Sequence, residues 1–412
     1  MHDSLIDNLI IVMLLETKTM IENRRRFDKQ EYSERALKTR KAMSDKGIEL
    51  LIVTDPSNIN WLTGYDAWSF YVHQCVVIGT DNTLFWFGRI IDTAGAAMTT
   101  DLSAENIIQY PDNYVQSEQE HPMEYLAEIL TNKGLNKCKV GLEKDNYYFS
   151  ARAAESLYRG LPNAKFVDAN GLVNWQRAVK SSQELIYMGR AGEIVEKIYE
   201  RVMAVAHPGI RKNELIAEIL HAGALGTTEH FGDYPAIVPL MGVGEESSAC
   251  HLTWDGNTIP ANSGVCMELA GVHARYHSPC SRTLYFGQPT QKYLDMEKMI
   301  LESINITLDM FRPGNTCGEV ADVFFDFLKK QGFDKANRVG YPIGLSYPPD
   351  WGERTMSLRR NDTTVLEEGM CFHFMPGIWL DDWGFEMTES VVVTPDGAKC
   401  LSKVPRKLLI VE

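Results

Sequence analysis

The stretch "GVCMELAGVHARYHSPCSRTLYFG", residues 264–287, decides how this chain is read. Its arms "GVCMELAGV" and "RTLYFG" have the apolar and aromatic content of strands. One acid, Glu268, stands inside the first arm. A glutamate in such a strand is ordinarily structural or partly solvated, so its surroundings decide what it does.

Outward from this stretch, the second half alternates strand patterns with helical ones. "KNELIAEILHAGAL", "QKYLDMEKMILESINITLDMF" and "GEVADVFFDFLKKQGF" read as helices, and "MCFHFMPGIWL" and "SVVVTPDG" as further strands. Several strands adjoin hairpin-like turns, which predicts an antiparallel sheet backed by helices. "SSQELIYMGRAGEIVEKIYERVMAVA", residues 181–206, opens on a helix cap and continues as a long helix that Pro208-Gly209 ends. The first half is different. Lys29 to Lys46 reads as an amphipathic helix, and "IELLIVTD", "QCVVIGTD" and "NTLFWFG" as strands with helical stretches between them. The chain therefore divides into residues 1–26, an extension; 27–180, an α/β domain; and 181–412, a second domain, with α/β (α+β) as the overall class.

Composition excludes several classes. Of 412 residues, 44% are hydrophobic and 23% charged, too apolar for a disordered or collagen-like chain. The length exceeds what one core usually supports. Forty-one basic residues against 55 acidic ones leave a net charge of −14, which argues against nucleic acid or an anionic membrane as a partner. The eight cysteines are scattered without a Cys-x-x-Cys pair, the pattern of reduced thiols in a cytoplasmic protein. The longest apolar run, Asn8 to Leu15, is too short to span a bilayer and follows Asp3 and Asp7 rather than a basic segment. Residues 1 to about 25 read as an accessory helix or tail, with "ENRRRF" as a solvated charge run. There is no Gly-rich phosphate loop and no Gly-x-Ser-x-Gly elbow.

"MELAGVHARYHSPCSRTLYFG", "GYPIGLSYPPD", "EEGMCFHFMPGIW" and "FEMTESVVVTPDG" occur in the order of the signature blocks of the creatinase/aminopeptidase P/methionine aminopeptidase superfamily, which this chain resembles from about Phe27. The resemblance implies a creatinase-like N-terminal domain, a C-terminal "pita-bread" catalytic domain and a homodimer. Peptidases of the superfamily hold two metal ions with Asp, Asp, His, Glu and Glu. The matching positions here are Glu268, Pro279, Tyr341, Met375 and Thr388. One carboxylate among five cannot replace a metal's hydration shell, so no metal and no other cofactor is expected.

"GYDAWSFYVHQC", "VNWQRAVKS" and "GYPIGLSYPPDWGERTMSLR" resemble the ectoine hydrolases, a metal-independent branch of the creatinase-like group. That resemblance implies ring opening of the cyclic amidine ectoine to N-acetyl-L-2,4-diaminobutyrate, and extends to hydroxyectoine. Under it Glu268 is nucleophile or general base at the amidinium carbon. His251 matches the superfamily's substrate-facing histidine and shuttles the proton. Glu386 stands two residues before Thr388, so it faces the cavity and pairs with the amidinium, while Glu389 faces away as a surface or supporting acid. His277, two before Pro279, faces inward to bind the substrate carboxylate or assist proton transfer. Tyr341, Trp351 and Trp383 offer aromatic faces to the cation. His73 and Asp92 in the first domain are expected to reach the substrate of a partner subunit. Two other readings stay open: a creatinase-like hydrolase of another amidine or guanidine, and an inactive relative that binds a cationic solute or a protein.

Overall fold

The computed structural model describes residues 24–412. The accessory helix or tail expected over residues 1–25 lies almost wholly outside them. Of the "ENRRRF" run, Arg25 pairs with Asp101 and Phe27 is buried beneath the Arg35 guanidinium, so its end is packed rather than solvated. The chain divides into two compact units, one ending at Gln176 and the other beginning at Arg177.

The first unit runs α1 (Lys29–Asp45), β1 (Leu50–Val53), α2 (Pro56–Thr63), β2 (Cys75–Gly79), β3 (Leu84–Arg89), α3 (Thr93–Thr99), β4 (Ile107–Tyr110), α4 (Pro122–Asn132), β5 (Lys139–Leu142), α5 (Ala151–Gly160), β6 (Lys165–Asp168) and α6 (Leu172–Gln176). Its strands form one sheet in the order β4-β3-β2-β1-β5-β6, antiparallel at β1–β2 and β2–β3 and parallel elsewhere. Side chains alternate along a strand, so each strand feeds two cores. Leu50 and Ile52 pack with Phe85, Phe87 and Leu126, while Leu51 and Val53 pack with Trp61 and Trp86. A sheet buried on both faces explains why "LLIV", Leu50–Val53, is continuously apolar rather than alternating.

The second unit runs α7 (Ser182–Val205), α8 (Lys212–Leu225), β7 (Leu240–Val243), β8 (Ser263–His273), β9 (Tyr276–Phe286), α9 (Gln291–Leu308), α10 (Cys317–Lys330), β10 (Gly340–Pro342), β11 (Cys371–Phe374), β12 (Gly377–Trp379), β13 (Gly384–Glu386), β14 (Glu389–Thr394), β15 (Gly397–Cys400) and β16 (Leu409–Val411). Ser181 caps α7 as its sequence predicts: its hydroxyl accepts from the Glu184 N–H, and the Glu184 carboxylate accepts from the Ser181 N–H. One sheet has the order β16-β9-β8-β7, a second β10-β11-β14-β15, and β12-β13 stand apart as a pair. Residues 264–287 form the long antiparallel β8–β9 hairpin, in which Glu268 faces Ser281 in register. Helices α7 and α8 share a core with this hairpin; α9 and α10 share another with β11 and β14. At Gly271 helix α7 comes so close that a Cβ would collide with the Ala191 carbonyl oxygen, which explains the glycine.

The stretch "MCFHFMPGIWL", expected as one strand, is two. Pro376 has no N–H to give to a ladder, so the chain leaves β11 there and pairs Gly377 with Glu386 in a separate two-stranded piece. Between β13 and β14 the chain is fastened to β9. Thr388 N–H donates to the Ser281 carbonyl, and Ser281 N–H donates to Thr388 Oγ1. These connections place Glu386 and Glu268 on one cavity.

Candidate active site

Glu268 and Glu386 line one small cavity, together with Leu240, Gly242, Cys250 and Cys266. Both glutamates are buried. Burial raises both carboxyl groups well above the ordinary carboxylate range, and the Glu386 charge raises Glu268 further. Trp379 Nε1–H donates to Glu386 Oε1 at 2.8 Å, and Lys335 lies near enough that both partially offset the rise at Glu386. Gly377 is required here, because a Cβ would press on the Trp379 ring and the Glu386 stem. Burial pushes the Cys250 thiol up, and both cavity carboxylates add to the effect.

Beside Glu268 runs a hydrogen-bonded chain of neutral groups. Because Thr388 Oγ1 already accepts from Ser281, its own proton is free to go to His373 Nε2, 2.7 Å away. His373 Nδ1–H then donates to Tyr341 Oη at 3.1 Å, with Glu268 Oε1 at 3.7 Å. Tyr341 Oη also accepts from Trp351 Nε1 at 2.7 Å. Burial, reinforced by Arg338 and Arg282, lowers His373 to about 3, so the imidazole is neutral. Burial and then the Glu268 charge push the Tyr341 phenol far up. Sequence reasoning missed His373. Its signal was a histidine in the apolar strand "CFHFM", two residues before Met375 and so on the same face.

The structure brings together Glu268, Glu386 and Tyr341 from the predicted set, with Trp351 behind the Tyr341 hydroxyl. Two expectations take a different form. His277 has no free ring nitrogen: Nδ1 is 2.9 Å from the Arg275 carbonyl and Nε2 accepts from Ala236 N–H at 2.9 Å. Burial holds it at about 3, so it is a neutral brace between backbone segments. Trp383 lies in the hydrophobic core, packed on Tyr293 at 4.7 Å, rather than on the cavity. Trp379, which sequence reasoning passed over, is the indole that bonds Glu386. Glu389 does face away from Glu386, but it is buried rather than at the surface, held by Arg282 and Arg406. His251 is solvent-exposed, with no hydrogen-bond partner among the described residues, and follows the cavity residue Cys250 directly.

His73 and Asp92 belong to the first unit. His121 Nδ1 accepts from Met123 N–H, so its Nε2–H donates to His73 Nε2 at 3.2 Å. Asp92 precedes α3, and burial raises its carboxyl while Arg89 opposes.

Residues 187–395 match metallopeptidase family M24, and residues 35–179 match the creatinase/prolidase N-terminal domain. Among curated proteins, ectoine hydrolase from Halomonas elongata is 49% identical over 391 residues, covering 93% of this chain and 98% of that protein. The chain belongs to metallopeptidase family M24. An uncharacterized hydrolase/peptidase from Sinorhizobium fredii is 44% identical, with coverage of 93% and 98%. Among solved structures, a prolidase from Thermococcus sibiricus superposes with a TM-score of 0.80 at 17% identity, covering 92% of this chain and 99% of that one. A dipeptidase from Mycobacterium ulcerans gives 0.78 at 21% identity, covering 93% and 99%. These two likenesses establish the shared two-domain, pita-bread fold and nothing about chemistry.

The metallopeptidase name implies metal ions, and the residues present do not fit them. Pro279 and Met375 offer a hard cation no oxygen from their side chains, and Tyr341 and Thr388 are tied into the chain around His373. Among the described residues no group of three or more His, Cys, Asp or Glu side chains converges closely enough to hold a metal ion.

Proposed function

We propose that this chain hydrolyses ectoine without a metal ion, opening its ring to N-acetyl-L-2,4-diaminobutyrate. The observation that carries the reading is the buried Glu268–Glu386 pair, in a chain that aligns along nearly its whole length with an ectoine hydrolase. Two raised carboxyl groups on one cavity favour sharing a proton over both ionising. A delocalised amidinium reverses that preference, because it supplies the positive charge that the pair lacks. Glu386, fixed by Trp379, pairs with the amidinium nitrogens. Glu268 acts at the amidinium carbon, as nucleophile or as base for the attacking water. The carbon–nitrogen bond breaks as a new carbon–oxygen bond is completed, and the departing nitrogen takes the proton.

Tyr341, held by Trp351 and His373, stands where it can support charge that develops beside Glu268. We assign proton exchange with solvent to His251, which adjoins Cys250 at the cavity. The protein acts in the cytoplasm as a homodimer, with domains at 27–180 and 181–412. All eight cysteines are free, which supports a reducing compartment, and among the described residues no helix is long and apolar enough to cross a membrane.

The test is to treat the protein with a chelator, add ectoine, and follow ring opening by NMR. Ring opening at the untreated rate is expected. Activity that returns only with added metal would overturn the metal-free assignment, and binding without turnover would make the chain a solute-binding relative of the enzymes.

A further inference from the structure

Ectoine carries a carboxylate as well as an amidinium, and the two carboxylates of the cavity account only for the cationic end. A zwitterion held solely by acids would place its own carboxylate against like charge. Some cation must receive it, and the cations near the cavity differ in how far they are already engaged. Arg282 donates to Glu389 and to the carbonyls of Ser281, Thr388, Val404 and Pro405. Lys180 is paired with Glu353. Arg338 and Arg359 both donate to the Ser357 hydroxyl, and Arg338 lies over the Tyr341 ring. His277, the candidate from sequence, has both ring nitrogens on the backbone.

Lys335 is the cation that acts on Glu386. Its ammonium donates to the Gly377 carbonyl at 2.6 Å and sits 4.1 Å from the centre of the Trp379 ring. No carboxylate of a described residue lies within ion-pair distance of it. Gly377 pairs directly with Glu386 across the β12–β13 pair, and Trp379 gives its N–H to Glu386 while Lys335 lies over its ring, so one glycine and one indole link the ammonium to the carboxylate. Lys335 also acts on Cys250, which lines the cavity with Glu386, so its ammonium stands close to that cavity without being one of its lining groups.

We infer that Lys335 is the group that receives the substrate's carboxylate, which makes it the residue that selects a zwitterionic cyclic amidine over a simple one. Burial lowers the Lys335 ammonium to about 7, with Glu386 opposing, and an arriving carboxylate would favour its charged form. The inference rests on the ectoine hydrolase reading and adds specificity to it.

The experiment compares ectoine with the same ring amidine lacking its carboxylate, on the full chain and on Lys335→Met, which keeps the apolar stem over Trp379. The wild-type protein is expected to favour ectoine by about 10- to 100-fold in kcat/KM, mainly through KM, as a charge-assisted hydrogen bond provides. Lys335→Met should lose that preference, the ratio of kcat/KM for ectoine to that for the simpler amidine falling toward one whatever change is common to both compounds. Lys335→Gln, which keeps a polar end, serves as the second variant should the methionine protein fail to fold. A variant that slows both compounds equally, or that keeps the preference for ectoine, overturns the assignment. If the wild-type protein opens neither ring, it is the hydrolase reading that falls.

Discussion

Glu386 and Glu389 are three residues apart and both buried, yet their surroundings are opposite. Glu389 meets Arg282 at 2.7 Å and Arg406 at 3.2 Å. Glu353, elsewhere in the same unit, is likewise held by Lys180 at 2.6 Å. Among the described residues Glu386 and Glu268 have no lysine or arginine within ion-pair distance; His373 beside Glu268 is neutral, and the Glu386 charge raises the cost of ionising Glu268. Bury an acid with its base and the result is a structural brace; bury two acids together and the result is a site that waits for a cation. The difference locates function better than burial or charge alone.

The comparison can be broken most directly at Glu268. Glu268→Gln should reduce kcat for ectoine by about 10⁴-fold, the upper range for loss of a group acting at the reacting atom, with an unchanged circular dichroism spectrum. Near-normal turnover would remove Glu268 from the chemistry. On the structural side, Arg282→Met leaves the buried Glu389 with Arg406 as its one ion-pair partner and removes the hydrogen bonds Arg282 gives to four carbonyls, and should cost about 3–5 kcal/mol in urea unfolding, the scale of breaking a buried pair. A loss below 1 kcal/mol would show that Glu389 does not depend on its arginine.

A smaller effect is expected at Trp379. Trp379→Phe keeps an aromatic ring on Lys335 but takes the N–H from Glu386, which should lower kcat/KM at neutral pH roughly tenfold, the scale of one hydrogen bond to a charged group. Its acid limb should move to higher pH, since the lost donor favoured the ionised form. An unshifted limb would show that Trp379 does not tune Glu386.

The smallest effect is on stability against pH. Glu268 and Glu386 bind protons more tightly folded than unfolded, so their contribution is present at low pH and lost as pH rises from the ordinary carboxylate range through neutrality. Glu268→Gln should flatten that decline when unfolding free energy is measured across the same range. A decline as steep as in the wild type would place its origin elsewhere.

Much of this architecture was legible in the chain. The cap at Ser181 and the two arms of residues 264–287 are local patterns, and local patterns follow from hydrogen-bonding and packing rules that act over a few residues. Glu268 was legible because an acid in an apolar strand is conspicuous, and Glu386 because period two ties it to Thr388. His373 and Trp379 were not, since a histidine and a tryptophan among apolar residues read as ordinary core. Trp383 and His277 misled for the converse reason: their residue types suit a site, but Tyr293, which packs on the indole, and the Ala236 backbone, which occupies one imidazole nitrogen, come from other parts of the unit.

By itself, then, the sequence determined the strands, the helices, the scarcity of metal ligands and the acids to consider. Only the tertiary structure decided which acids have bases and which do not. Arg282 is 107 residues from Glu389 and Lys180 is 173 from Glu353. Whether a buried charge is neutralised depends on groups within a few ångströms in space, and the spacing of residues along one strand carries no record of them.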